Sequence, residues 1–316
     1  MSIQLHYTED LSQGVKRLMI QECNKALDYL DNASGEEQRH EAVHEARKAF
    51  KKNRACLRLV RDQIDYYEEE NAWFRDRGRE ISDIRDATSS LEVLERLQEQ
   101  FDSHLYENAF NAIEKQLRSY RKELAKKVFN QEKRLESIQE ALKKKLETIP
   151  CWPLKIQSFD ELRPSIKRTY KRGCKGLQRS LEQGNVEDFH EWRKRAKYLR
   201  YQIDVLNRIW PPVLETLEDE LHAVTDFIGT LNDLDTLQHI IQKMDRPFDN
   251  REEEMMFNAL LEKQQCIMKE HALLKGRKFY CDSPSDFCDR LEVYWETHHQ
   301  EIENEKLPQP EPLEYS

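Results

Sequence analysis

Glycine is scarce in this chain, 8 of 316 residues, with 10 prolines beside it. Few positions can therefore turn the backbone sharply, which disfavours β-rich and Rossmann-type folds and favours long helices. A continuous apolar run of the roughly twenty residues that a membrane span needs is also missing. Residues Met1 to Asp10 hold neither a basic stretch nor an apolar one after it, so no secretory signal is read there and a cytoplasmic location is expected. The cysteines, Cys23, Cys56, Cys151, Cys174, Cys266, Cys281 and Cys288, are odd in number and never spaced Cys-x-x-Cys. They read as reduced thiols, mostly buried as small apolar side chains.

Charge, by contrast, is abundant. Lys and Arg number 51 against 60 Asp and Glu, a formal net charge of −9, which argues against a nucleic-acid binder coated in positive charge. Charged residues make up 35% of the chain and apolar ones 38%, so the surface is large relative to the core. Between sparse breaks, apolar residues recur at helical spacing. Leu11, Val15, Leu18, Met19, Ala26, Tyr29 and Leu30 share one helix face; Leu199, Ile203, Leu206 and Ile209 share another. Residues 104–149 read as one very long helix or as a pair broken near Phe129-Asn130. The expected fold class is all-α, with a first antiparallel bundle over 1–149, a linker over 150–162, a second bundle over 163–300 and a disordered acidic tail over 301–316.

An internal repeat supports that division. His44-Glu45-Ala46-Arg47-Lys48-Ala49-Phe50-Lys51-Lys52-Asn53-Arg54 aligns with His190-Glu191-Trp192-Arg193-Lys194-Arg195-Ala196-Lys197-Tyr198-Leu199-Arg200 at a constant offset of 146. A second echo pairs Ile81-Ser82-Asp83-Ile84-Arg85-Asp86 with Ile228-Gly229-Thr230-Leu231-Asn232-Asp233, at an offset of 147. Two related halves imply two helical bundles packed about a pseudo-twofold axis.

On a helical wheel His44, Arg47, Lys48, Lys51, Arg54 and Arg58 fall within a stripe roughly 120° wide, and His190, Arg193, Lys194, Lys197 and Arg200 build the same row in the second half. Like charges three and four residues apart oppose a helix, by a few tenths of a kcal/mol per pair, and no acid is interleaved on this face. Something outside the helix is therefore expected to neutralise it. Residues 44–61 carry seven Lys/Arg and one Glu, and 163–200 carry twelve Lys/Arg and four acids, whereas 214–236 hold seven acids and no Lys or Arg. Such segregation focuses positive potential at one place on a negative protein, which suits a polyanion. Lys167, Arg168, Lys171 and Lys175, with Arg17 in the thinner first-half counterpart, form a secondary candidate anion surface. A single stripe of this kind is more simply a solvated face or one paired with a neighbouring helix; its recurrence with the same leading histidine favours a site.

The doubled His-x-x-Arg-Lys-x-x-Lys-x-x-Arg pattern at His44 to Arg54 and His190 to Arg200, each followed by Arg85-Asp86 or Asn232-Asp233, resembles the CHAD domain, the conserved histidine α-helical domain, from about Leu11 to Trp295. The resemblance implies two four-helix bundles with pseudo-twofold symmetry and a central basic cavity that binds inorganic polyphosphate. On it, His44, Arg47, Lys48, Lys51, Lys52, Arg54, His190, Arg193, Lys194, Lys197 and Arg200 would be the anion ligands, with Arg58 added by its place on the stripe, and polyphosphate granules would be the place of action. Tyr198 stands where the first half has Lys52, so equal contributions from the halves are not expected.

Rival chemistries have signatures of their own. The triphosphate-processing barrels fused to many such domains carry Glu-x-Glu-x-Lys; here Glu301-Ile302-Glu303-Asn304-Glu305-Lys306 puts its lysine one place late, so no enzyme activity and no cofactor are expected. His40 and His44 at i, i+4 could chelate a metal, but the second-half equivalent of His40 is Val186 and the neighbours of the leading histidines are cations. No protein-specified metal is expected, and divalent ions would arrive as counterions of the polyphosphate. Nucleic-acid or general polyanion binding, and a helical adaptor with no polyanion, remain alternatives; Trp192 and Tyr198 lie off the stripe and read as core rather than as base-stacking platforms.

Overall fold

The computed structural model describes residues 3–6, 9–100, 107–244, 246–248 and 250–304, and every regular element among them is helical. The first half holds α1 (Leu11–Asp31), α2 (Glu36–Leu59), α3 (Tyr67–Glu80), α4 (Ser82–Gln100), α5 (Glu107–Ala125) and α6 (Arg134–Thr148). The second holds α7 (Arg163–Gln183), α8 (Val186–Leu206), α9 (Pro211–Ile241), α10 (Arg251–Phe279) and α11 (Pro284–Asn304). None of these helices is long and apolar enough to cross a membrane.

Local sequence sets the breaks. Asp10 caps α1 by accepting from Gln13 N at 3.0 Å, and Asn185 caps α8 by accepting from Asp188 N at 2.9 Å. Gly184 ends α7 at φ 68°, a left-handed conformation that side chains with a Cβ adopt reluctantly. Pro211 and Pro212 open α9, where their missing N–H groups cost nothing. The stretch 104–149 resolves into the broken pair: a π-helical turn over Lys126–Gln131 ends at Lys133, itself left-handed at φ 46°. No glycine marks that break, which is why spacing alone left it open.

Residues 150–162 contain no α-helix, only short 3-10 turns over Ile149–Cys151 and Phe159–Glu161. They are no slack linker, because Trp152, Leu154, Ile156, Phe159 and Leu162 are buried in the main core. That core also takes Leu18 and Met19 from α1, Phe50 and Leu57 from α2, Trp192 and Leu199 from α8 and Ile228 from α9. A second core joins Leu94 of α4 and Ile113 of α5 to Leu237 of α9 and Phe257 of α10. Each core thus draws on both halves, and the apolar contacts do not divide at the linker as the sequence boundary suggests. The helices that carry this shared packing across the halves are α2 against α8 and α4 against α9.

Two expectations are corrected. Cys23, Cys56 and Cys288 are buried, but Cys174 is half-buried and Cys151, Cys266 and Cys281 are exposed, all as free thiols. The stretch expected to be a disordered tail from 301 is helical at its start, since α11 runs on to Asn304. The remainder of the expected tail lies outside the described residues.

Candidate anion-binding site

The contact of α2 with α8 brings the two repeated rows together. Proximity across it is marked by charge: the Arg193 guanidinium of α8 acts on Lys51 of α2, and Lys51 acts on Lys197 of α8. The two leading arginines are held alike. Arg47 Nη1 donates to Gly78 O at 2.9 Å, and Arg193 Nε donates to Thr225 O at 2.9 Å. Gly78 and Thr225 are themselves 147 residues apart, the offset of the second echo, so the halves use equivalent carbonyls. Gly229 makes room for the second of these, because a Cβ there would lie 2.6 Å from Arg193 Nη2.

The rows are not free of acid. Glu45 takes Lys48 at 3.1 Å and Lys25 at 3.2 Å, and Glu191 takes Lys194 and, at 3.2 Å, Arg195. Both carboxylates sit beside the stripe on the wheel, yet a side chain three residues on is within reach. Glu218 of α9 pairs with Arg200. Lys52 leaves the row altogether: it is 3% exposed and bonds Glu22 of α1, itself buried, at 2.8 Å. This lysine is an interior ion pair rather than a surface ligand, because its position on the wheel turns it toward α1.

Six cations remain with no carboxylate at ion-pair distance among the described residues: Arg47, Lys51, Arg54, Arg58, Arg193 and Lys197. Arg54 Nε donates to Asn71 Oδ1 at 3.2 Å, while the Arg58 guanidinium lies 3.8 Å over the Tyr198 ring, with Arg54 at 5.8 Å from the same ring. Tyr198 is therefore both core, as expected, and a cation–π seat that fixes two first-half arginines against α8. Trp192 is wholly buried and has no such second role.

The electrostatic consequences follow from burial and crowding. Burial, then Arg47, Arg193 and Arg85, bring the Lys51 amine down to about 7, and Lys197 is likewise held well below the ordinary lysine range. Burial raises the Asp86 and Asp233 carboxyls, against the opposing pull of Arg47 and Arg193 respectively. His44, exposed, and His190, half-buried, are lowered by loss of hydration and by neighbouring cations. Asn232 Nδ2 lies 3.0 Å from His190 Nδ1, which suits a neutral ring accepting there. Asn232 Oδ1 is buried and unpaired, so an amide flip would let a protonated His190 donate instead.

The remaining sequence candidates separate. Arg17 is tied to Glu9 at 2.5 Å, and Arg168 forms a fork to Asp62 at 3.0 and 3.1 Å, whereas Lys167, Lys171 and Lys175 are exposed. His40 is buried, its Nδ1 3.1 Å from Thr88 Oγ1, so it does not share an open face with His44. Arg85 was missed as a site residue although the second echo contains it; it acts on His44, Arg47 and Lys51 while forking to Glu92 at 2.9 and 3.1 Å. Two cavities, of about 150 Å³ beside Trp295 and about 410 Å³ between α4, α9 and α10, are lined by none of the row residues. All six cations are partly exposed.

The fold is similar to the crystal structure of the CHAD domain from the plant Ricinus communis, with a TM-score of 0.61 and 18% identity over 89% of this chain and 94% of that chain. Curated protein sequences give no match. The CHAD domain family model matches residues 18–242, well over half of the chain and spanning both repeats. Sequence, helical fold and family match agree that this chain belongs to the CHAD domain family.

Proposed function

We propose that the protein is a non-enzymatic binder of inorganic polyphosphate, held in a basic groove that the two repeats form about a pseudo-twofold axis. The observation that carries the reading is the meeting of six cations from both repeats with no carboxylate at ion-pair distance among the described residues. Arg47 and Arg193 present fixed guanidinium forks suited to phosphoryl oxygens. Lys51, Lys197, Arg54 and Arg58 extend the track along the chain, and Lys48, Lys194 and Arg200 join after exchanging their glutamate partners for phosphate. The equivalent anchoring of Arg47 at Gly78 O and of Arg193 at Thr225 O supports the twofold relation. A long flexible anion needs a track of this kind rather than a closed cavity, and divalent ions accompany it as counterions. Cytoplasmic polyphosphate granules are the corresponding place of action.

Nucleic acid is the competing polyanion. The row offers no open ring for base stacking, since Trp192 is buried and Arg58 covers Tyr198. Calorimetric titration with long-chain polyphosphate, with single-stranded RNA of matched charge as competitor, separates the two. Polyphosphate is expected to retain its affinity in the presence of RNA; equal competition would reduce the protein to a general polyanion binder. Bound phosphate favours the charged forms of Lys51, His44 and His190, whose proton affinities are low in the free protein. Binding therefore takes up protons and strengthens as pH falls from 8 to 6, and equal affinity at both ends of that window would exclude this linkage.

A further inference from the structure

Lys51 and Lys197 stand apart within the cluster. They are repeat equivalents, 146 residues apart, and both are partly exposed. Each lies one helical turn after an arginine fixed on a main-chain carbonyl. Neither amine has a hydrogen bond or an ion pair among the described residues. Arg47, Arg193 and Arg85 face Lys51, with Asp86 as the opposing charge; Arg193, Lys51 and Arg200 face Lys197, with Asp226 opposing. Burial and this crowding bring the Lys51 amine down to about 7 and hold Lys197 well below the ordinary lysine range, so the free base is more accessible than in an ordinary surface lysine, where it is about one part in a thousand. An unprotonated amine beside a guanidinium fork is a nucleophile next to an anion holder.

We propose that Lys51 and Lys197 are acylation sites for acyl phosphates, whose phosphoryl group docks on Arg47 and Arg193 and sets the acyl carbon beside the amine. The proposal rests on the reading of these arginines as phosphoryl ligands. The free-base nitrogen attacks the acyl carbon and a C–N bond forms. The C–O bond to the phosphoryl group then breaks, phosphate leaves with the electron pair, and the nitrogen proton passes to it, so hydrogen phosphate and an amide are the products. No oxidant or reductant takes part. The amide can no longer be charged, so acylation removes a cation from the track and weakens its hold on polyphosphate.

The test uses the full chain and acetyl phosphate at pH 7.5, with acetylation followed peptide by peptide in a mass spectrometer. Lys51 and Lys197, whose amines are held below the ordinary lysine range, are expected to react at least about tenfold faster than the glutamate-paired Lys48 and Lys194. Acetic anhydride, which has no phosphoryl group, serves as the second reagent. The preference of Lys51 for acetyl phosphate over anhydride should exceed that of Lys194 in the native chain and fall to it in R47Q/R193Q. Acetyl phosphate reacting first at Lys48 and Lys194, or an unchanged preference in R47Q/R193Q, overturns the proposal. Polyphosphate titrated into unmodified protein reads the other claim separately: fast labelling without polyphosphate binding sinks only the polymer reading, and intact binding with surface-first labelling sinks only this one.

Discussion

Replacing Arg47 and Arg193 together by alanine is expected to lower the affinity for long-chain polyphosphate by about 10²- to 10⁴-fold, if each guanidinium supplies about 1.5–3 kcal/mol of charge-assisted hydrogen bonding. These two carry the largest effect because no carboxylate among the described residues pairs with them at ion-pair distance; Asp86 and Asp233 act on them only from further away. Each is oriented by one bond to a carbonyl, Gly78 O or Thr225 O, which leaves further N–H donors for phosphoryl oxygens. Losing those anchoring bonds also costs about 1 kcal/mol each in stability, so the variant must be shown folded by its thermal transition before binding is read. Lys48→Ala and Lys194→Ala, which remove cations already paired with Glu45 and Glu191, are expected to cost about tenfold or less, as exposed charges do. A folded double-arginine variant that binds within about threefold of the native chain would remove both arginines from the site.

Lys52→Met is expected to act on stability instead, by about 3–5 kcal/mol, because it strands the buried Glu22 carboxylate without its partner. Urea unfolding at pH 7.5 measures this. Replacing Glu22 by leucine in the same chain should recover much of the loss, since the remaining pair of apolar side chains leaves no charge to bury. Polyphosphate affinity, measured in the cold where Lys52→Met stays folded, is expected to be unchanged. A stable Lys52→Met protein with weakened binding would return Lys52 to the ligand set, where its place in the repeated motif puts it.

Lys52 shows where sequence reasoning stops. The 3.6-residue period made the helices legible, and the offset of 146 made the repeat and its cationic rows legible, because both depend on spacing along one chain. Which member of a row meets a carboxylate depends on the neighbouring helix. Glu22 on α1 and Glu218 on α9 were invisible from α2 and α8, and they claim Lys52 and Arg200. Glu45 and Glu191 were visible, but treating the wheel as a boundary hid the reach of a side chain across its edge. Tyr198 looked like a lost cation; packing makes it the ring on which Arg58 lies. The shared cores were unreadable for the same reason, since an apolar face on α4 or α9 does not state which half will cover it.

The central claim is that one polyanion track is built from both repeats, and equilibrium titration of long-chain polyphosphate into the native chain at several salt concentrations tests it most directly. The account expects tight binding whose logarithm falls linearly with the logarithm of salt, with a slope of several released counterions. It also expects Arg47→Ala alone and Arg193→Ala alone to make that slope shallower, since the two residues serve one track. Binding that ignores salt, or that responds to only one of the two arginines, would contradict it.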